Sequence, residues 1–470
     1  MNELTVRGLG HVYLIGIGGV GMSGLAEILL RHGVPVSGSE LGDRPALAKL
    51  AGLGATIHRR HSPGNLGNAD TVVHSTAIPA DHVELIAARD RGLPVLHRSA
   101  ALAAVLAGRR TIAVAGTHGK TTTTAMITVA LRAGGADPSY VIGGDVRTLG
   151  SGALGSGEHF VVEADESDRS FFAYTPEVAV VTNIDSDHLN TYGDVDGLAQ
   201  AFLDFCRRVR PGGFVVTNAD DERCRRLAAI LRAEGRAVYT YGQANDADLI
   251  VVGLSTVAAA VRYDAVLDGA LLGAVHVPVV GHHFGLNSAA ALLVAQRLGV
   301  RGAARGLRHF PGVRRRFELR GVVDGIRVYD DYACHHTSMA ASLRAMRTIA
   351  QGHRLVVVCQ PNRAYRVRQF LREMADSLSL ADEAVVLEVF GPGETVAAGF
   401  DGRALTAAIP LPDKHKVFAG SASAAVTEVL RRAQRGDVVV TIGSPEMATV
   451  AGRLVEALHT AGEPAVRAAG

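Results

Sequence analysis

Two glycine-rich stretches and two acidic ones hold the residues whose types and spacing can do chemistry. In Gly116-Thr117-His118-Gly119-Lys120-Thr121-Thr122, the glycines let the main chain approach a polyphosphate and present N–H groups to its oxygens. Lys120 follows where a long cation reaches β- and γ-phosphates, and Thr121 offers a hydroxyl to Mg²⁺. The segment departs from GxxxxGK[ST], because position 114 is Val. Its plainer reading is a glycine turn with a solvated lysine, but the order of strand, glycines, Lys and Thr favours phosphate. Gly16-Ile17-Gly18-Gly19-Val20-Gly21 fits GxGxxG. Gly16, Gly18, Gly19 and Gly21 would set the backbone against an anion at a helix N-terminus. Glu40 stands about 20 residues on, where a dinucleotide fold puts a ribose-binding acid. Alone, this loop reads as NAD binding, or as a turn that needs glycine only for packing. An NAD-dependent oxidoreductase has no need of the second phosphate loop.

The acidic stretches are Glu163-Ala164-Asp165-Glu166-Ser167-Asp168 and Thr182-Asn183-Ile184-Asp185-Ser186-Asp187-His188. Each follows a strand candidate, at the end where parallel sheets place their sites. Carboxylate oxygens suit Mg²⁺, and a histidine can complete a hydrated divalent site. A run of acids is more often a solvated loop; the phosphate loop upstream favours metal. Glu163 follows its strand directly and is held most rigidly, whereas Asp165 and Asp168 are expected to be exposed.

Alternating strands and helices must position these residues. The apolar run His11–Ile17 precedes the first glycine loop, and Val20–Leu30 has helical spacing with Met22, Leu25, Ala26 and Leu29 on one face. Val34–Ser37, Asp70–His74 and Leu93–Leu96 read as further strands. Thr111–Ala115 leads into the second loop and a helix from about Lys120 to Arg132. Phe160–Val162, Val178–Val181 and Phe214–Val216 are buried-strand candidates, and Ser288–Leu298 is a helix of small apolar residues. Ile326–Tyr329, Leu355–Val358, Ala384–Leu387 and Val438–Ile442 follow. The pattern predicts parallel sheets covered by helices. At 470 residues, about three domains are expected, and the segmentation gives three consecutive α/β domains over 1–108, 109–312 and 313–470.

Composition bounds the function. With 48% hydrophobic and 20% charged residues, the chain is globular rather than disordered or collagen-like. The net charge of +2 gives no basic field for nucleic acid, so anion sites are local. Cys206, Cys224, Cys334 and Cys359 form no CxxC pair, and no secretory signal precedes them. Neither a disulfide framework nor a zinc site is expected. No run reaches the ~18 apolar residues of a membrane helix; the expected location is the cytoplasm.

Taken together, GIGGVGMSGLAEIL from Gly16, GTHGKTTTT from Gly116, EADESD from Glu163, TNIDSDH from Thr182 and DDY from Asp330 resemble the Mur ligases, in particular the family of UDP-N-acetylmuramate–L-alanine ligases. Fainter matches are STAI from Ser75, HRS from His97, LEVFGPGE from Leu387 and GSPE from Gly443. The resemblance runs in order along the whole chain. It implies an N-terminal Rossmann-like domain for the UDP part of UDP-N-acetylmuramate, with its pyrophosphate at the Gly16 loop and Ser75 and Arg98 nearby. It implies a central ATP-binding domain and a C-terminal, dinucleotide-fold-like domain with the amino-acid pocket. The implied reaction, in peptidoglycan precursor synthesis, joins L-alanine to the lactyl carboxylate through an acyl phosphate. By resemblance Lys120, Arg316 and His188 serve catalysis, with Lys120 on the β/γ-phosphates and Arg316 at the γ-phosphate. Thr121, Glu163 and His188 hold Mg²⁺. Asn287 binds adenine, and Asp331 meets the ribose or phosphates. Tyr332, Cys334, Arg363 and Arg366 surround the amino acid.

The C-terminal motifs depart from the family. Against DDY-[GA]-HHP-T-E the chain reads Asp330-Asp331-Tyr332-Ala333-Cys334-His335-His336-Thr337-Ser338, so Cys334 replaces the first His, His336 the Pro and Ser338 the Glu. Against QPHRYTRT it reads Gln360-Pro361-Asn362-Arg363-Ala364-Tyr365-Arg366-Val367, and against GxHNxxN it has Phe284 for the first Asn. The retained arginines suit an α-carboxylate through bidentate hydrogen bonds. Cys334 gives the pocket a smaller, softer wall. Four readings stay open from the residues: L-alanine as acceptor, a paralogue with another acceptor or a specialised pathway, an NAD-dependent oxidoreductase using the Gly16 loop, and a nucleotide-binding regulator without catalysis.

Overall fold

A computed structural model of the chain describes residues 5–257, 259–391 and 393–462. The short β-branched runs that sequence marks as strands lie at the centres of three sheets, where both faces are covered and apolar side chains can be continuous. The first sheet comprises β1 (Val12–Ile15), β2 (Val36–Ser39), β3 (Thr56–His58), β4 (Thr71–His74) and β5 (Val95–His97). Its strands are parallel, in the order β3-β2-β1-β4-β5. The first strand begins only at Val12, because Val6–Leu9 is a short 3-10 turn. Strand order reverses beside β1, so the Gly16 loop that follows β1 stands at the switch point where parallel sheets bind ligands.

The second sheet has ten strands: β6 (Arg110–Ala115), β7 (Ser139–Val146), β8 (Gly150–Ala153), β9 (His159–Glu163), β10 (Val178–Val181), β11 (Phe214–Asn218), β12 (Val238–Gly242), β13 (Leu249–Val257), β14 (Ala260–Leu267) and β15 (Ala270–Val277). Their order is β15-β14-β13-β12-β11-β10-β6-β9-β7-β8. β6 lies between β10 and β9, parallel to both, with Ala115 beside Val181 and Val114 beside Glu163. That register brings the phosphate loop and both acidic stretches to the C-terminal end of three adjacent interior strands. The hairpin β7–β8 and the run β12–β15 go beyond the strands expected from sequence. β8 is the glycine-rich GSGA and β13 is half exposed, so neither shows a buried β-branched run.

The third sheet comprises β16 (Glu318–Val323), β17 (Ile326–Asp331), β18 (Leu355–Gln360), β19 (Glu383–Leu387), β20 (Lys416–Gly420) and β21 (Val438–Gly443), in the order β16-β17-β21-β18-β19-β20. Only the β16–β17 pair is antiparallel. β18, β19 and β21 are buried throughout. The helix expected over Ser288–Leu298 starts earlier and runs His282–Arg297.

The chain forms two compact units. One holds 1–253, 263–277 and 285–311; the other holds 254–262, 278–284 and 312–470. Among the described residues no helix is long and apolar enough to cross a membrane. All four cysteines are free and buried. Of the LEVFGPGE stretch, Pro392 lies outside the described residues.

Candidate active site

The phosphate loop is stapled to the segment after β10. Thr117 N and His118 N donate to Asn183 O and Oδ1 at 3.0 and 2.9 Å, and Asp185 N donates to Thr117 Oγ1 at 2.9 Å. The glycines are required here. Gly116 has φ +125°, and a Cβ on it would lie 2.1 Å from Thr182 Oγ1. Gly119, at φ +84°, would meet Asn287 Oδ1 at 2.7 Å. Gly119 caps the helix Lys120–Ala133, whose first turn has no side-chain cap and therefore offers its N–H groups to an anion. Thr122 is buried in that turn, and Asn287 is buried beside the loop.

Lys120 folds back over the loop. Its Nζ donates to Gly116 O at 2.9 Å and Glu166 Oε1 at 2.7 Å. Burial pushes the Glu166 carboxyl up to about 8, although the Lys120 ammonium pulls it down. Burial works to lower the lysine's pKa, but Glu166, Asp165 and Glu163 outweigh it and raise it. Thr121 Oγ1 donates to Glu163 Oε1 at 3.2 Å, and Gly143 N to Glu163 Oε2 at 2.8 Å. His188 has φ +55°, and its Nε2 stands 4.0 Å from Glu166 Oε1. Glu166 Oε2 is buried with no hydrogen-bond partner. Thr121 with Glu163, and His188 with Glu166, form two polar pairs beside the phosphate loop, with oxygen and imidazole donors of the kinds that suit a hard divalent cation.

Asp165 and Asp168, expected to be exposed, are both part-buried. Asp165 Oδ1 accepts from Ser167 N, and Asp168 Oδ1 accepts from Ser170 N. The turn that makes these bonds folds the acids inward. The depth of Glu166 and the loop-stapling role of Asn183 were not anticipated. A run of acids shows no burial in sequence, and Asn183 finds its partners 65 residues upstream.

Gly19, Gly21, Ser75 and Arg98 from the first sheet's loops line one cavity of about 260 Å³ with Gly143, Glu163 and Asp165 from the second sheet. Gly16 N donates to Ser39 O at 2.9 Å, which fixes the start of the turn. Gly18 lies against Glu40 and Arg44.

In the second unit the three consecutive arginines divide. Arg314 is exposed. Arg315 ion-pairs with the fully buried Asp330 at 3.0 Å, and its Nη2 donates to Ser444 O at 2.8 Å. Arg315 and Arg316 lie over the Tyr332 ring at 4.8 and 5.5 Å. Asp331 Oδ2 accepts from Phe317 N and Ser342 Oγ at 3.2 and 3.1 Å. Burial pushes its carboxyl up to about 6, against the pull of Arg316. Cys334 Sγ donates to Gly443 O at 3.3 Å, and Asn362 Nδ2 donates to the sulfur at 3.5 Å. Burial raises the thiol's pKa, while Arg366 nearby works to lower it. Tyr332, Cys334 and Arg366 thus share one neighbourhood. Arg363 pairs instead with Glu394 at 3.1 Å, with its side chain 48% exposed.

Three family models cover the chain in order. The Mur ligase family catalytic domain matches 11–110, the Mur ligase middle domain 114–295, and the Mur ligase glutamate ligase domain 315–445. The UDP-N-acetylmuramate–L-alanine ligase of Salinispora arenicola is 56% identical over 98% of this chain and 91% of its own. The same-named protein of Acidothermus cellulolyticus is 48% identical over 94% and 93%. The crystal structure of UDP-N-acetylmuramate-alanine ligase MurC from Thermotoga maritima superposes with a TM-score of 0.79 at 26% identity, covering 96% of this chain and 99% of that one. With its sheets, loops and acidic stretches matched across all three segments, this chain belongs to the Mur ligase family.

Proposed function

We propose that this chain is an ATP-dependent ligase that joins L-alanine to the lactyl carboxylate of UDP-N-acetylmuramate, a step of peptidoglycan precursor synthesis. One observation carries the reading. A single cavity is lined both by the Gly19–Gly21 turn with Ser75 and Arg98, and by Glu163 and Asp165 beside the phosphate loop. A glycine turn and the acids at the end of β9 facing one space, with Glu163 bonded in turn to Thr121 of the phosphate loop, suit a nucleotide-linked acceptor beside a phosphoryl donor, and that is what an acid-activating ligase needs.

The roles follow from position. Gly16, Gly18, Gly19 and Gly21 would bind the UDP pyrophosphate, with Ser75 and Arg98 beside it. Gly116 to Thr122 would cradle the ATP phosphates, with Lys120 on the β/γ oxygens and Asn287 at the adenine. Thr121, Glu163 and His188 would hold Mg²⁺, which neutralises phosphate charge when bound. Arg316 and Asp331 would complete the nucleotide's contacts. Tyr332, Cys334, Arg363 and Arg366 would receive the amino acid, with a guanidinium on its carboxylate. We assign these three sets to domains over 1–108, 109–312 and 313–470, and place the protein in the cytoplasm, where both nucleotides are made.

In this reaction a lactyl carboxylate oxygen attacks the γ-phosphorus, and ADP leaves. The amine of L-alanine then attacks the acyl carbon, and phosphate leaves with the former carboxylate oxygen. The protein supplies position and charge, and no side chain becomes covalently bound. Substrate labelled with ¹⁸O in the lactyl carboxylate tests this directly. With both carboxylate oxygens labelled, one is expected in the amide and one in the released phosphate; unlabelled phosphate, with the second oxygen lost to water, would refute the acyl phosphate.

A further inference from the structure

Asp168 is the last acid of the EADESD stretch, and nothing in the roles above uses it. It is held from both sides. Its Oδ1 accepts from Ser170 N at 2.9 Å, within its own turn. Its Oδ2 reaches out of the second sheet's loops to the first sheet's, accepting from Thr76 Oγ1 at 2.8 Å. The same oxygen lies 3.5 Å from His97 Nε2. His97 Nδ1 accepts from Ser99 N at 3.3 Å as the cap of the helix Arg98–Leu106. Burial keeps that ring's pKa below its ordinary value, although Asp168 works to raise it; Nε2 makes no hydrogen bond, so His97 lies against the carboxylate while Thr76 is bonded to it.

Thr76 follows Ser75, and His97 precedes Arg98. One carboxylate thus bonds the Thr76 segment and lies against the His97 segment, the neighbours of Ser75 and Arg98 that line the cavity from the first sheet. It does so from a turn whose other end carries Glu163 and Glu166. A shift of about 1 Å between a nucleophile and its target costs roughly a hundredfold in rate, so the two loop systems must be kept in register.

We propose that Asp168 is a positioning residue that registers the UDP-sugar loops against the phosphoryl-donor loop, through Thr76 and His97. This rests on the ligase reading above. It adds that the alignment of the two substrates depends on a contact neither of them touches.

The test uses the full-length enzyme with UDP-N-acetylmuramate, ATP and L-alanine, in four forms: wild type, Asp168→Asn, Thr76→Val and the double variant. Loss of a hydrogen bond at a part-exposed site corresponds to roughly three- to tenfold. Each single variant is expected to lower kcat and raise KM for UDP-N-acetylmuramate by that factor. KM for ATP and the Kd for ADP, measured by calorimetry, should stay within twofold. The double variant should be no worse than the poorer single one, because both remove the same link. The proposal is overturned if ADP affinity falls along with kcat, if the two effects multiply in the double variant, or if neither single variant changes kcat or KM. Wild-type enzyme that releases no phosphate with these substrates would instead sink the ligase reading, before any variant is compared.

Discussion

The ammonium of Lys120 stands 2.7 Å from Glu166 Oε1, and the Glu166 side chain has no exposed surface. The lysine proposed to meet the phosphates is therefore also the hydrogen-bond donor to a buried acid. Lys120→Ala should abolish turnover, since losing one cation at a developing phosphoryl charge costs several kcal/mol of barrier. It should also lower stability by about 1–3 kcal/mol, because Glu166 is left buried without its hydrogen-bond partner. Lys120→Ala with Glu166→Gln should recover most of that stability and none of the turnover. Urea unfolding and phosphate release on the two variants check this; equal stability of Lys120→Ala and wild type would contradict it.

Thr121 Oγ1 and Glu163 Oε1 are 3.2 Å apart, close enough to ligate one cation. Glu163→Ala should raise the Mg²⁺ concentration for half-maximal activity at least tenfold, or remove activity. Mn²⁺ binding followed by electron paramagnetic resonance, with ADP present, should weaken in parallel. An unchanged metal titration would move the site to Asp165 and Glu166.

Cys334 is packed between Gly443 O and Asn362 Nδ2, so its Cys334→His variant must find room in a filled place. Overpacking of this kind costs about 1–3 kcal/mol. A lower Tm and a changed KM for L-alanine are expected together. Arg366→Ala should raise that KM roughly ten- to a hundredfold, as loss of a charge-assisted bond. Arg363→Ala should do much less, because Arg363 is occupied by Glu394. The reverse ranking of the two arginines would show that Arg363 leaves Glu394 to bind substrate.

Asp331 carries a pH signature. Its carboxyl is pushed up to about 6 by burial, against about 3.9 for a free aspartate. The native state thus prefers the protonated form. Wild-type stability relative to Asp331→Asn should be greatest below about pH 4, fall between pH 4 and 6, and stay level above that. The fall corresponds to at most about 3 kcal/mol. Urea denaturation of both proteins across pH 4–8 measures it; a difference that rises with pH would contradict the burial argument.

Sequence revealed the sheet centres because buried parallel strands are runs of β-branched residues. Val178–Val181 matches its strand at both ends, and Thr111–Ala115 falls one residue short. It also put Lys120 and Glu163 near one another, since both follow strands at their C-terminal ends. It could not reveal what depends on depth or distant partners. Glu166 and Asp168 look alike in an acidic run, yet one is fully buried on Lys120 and the other bonds Thr76 across 92 residues. Arg314, Arg315 and Arg316 read as one basic turn. Only the fold shows that Arg315 is anchored on Asp330, while Arg316 lies over Tyr332. The β7–β8 hairpin is hard to read in sequence, because its Tyr140-Val141-Ile142 run is short and passes at once into Gly143-Gly144, although Gly143 N bonds Glu163.

The most direct measurement of the central claim is phosphate release by the purified chain under omission of each substrate in turn. ATP, UDP-N-acetylmuramate and L-alanine together should give continuous phosphate release, with a matching amount of the alanyl product by mass spectrometry. Omission of either acceptor should reduce release to background. Release that continues without UDP-N-acetylmuramate, or product formed with another amino acid in preference to L-alanine, would contradict the account.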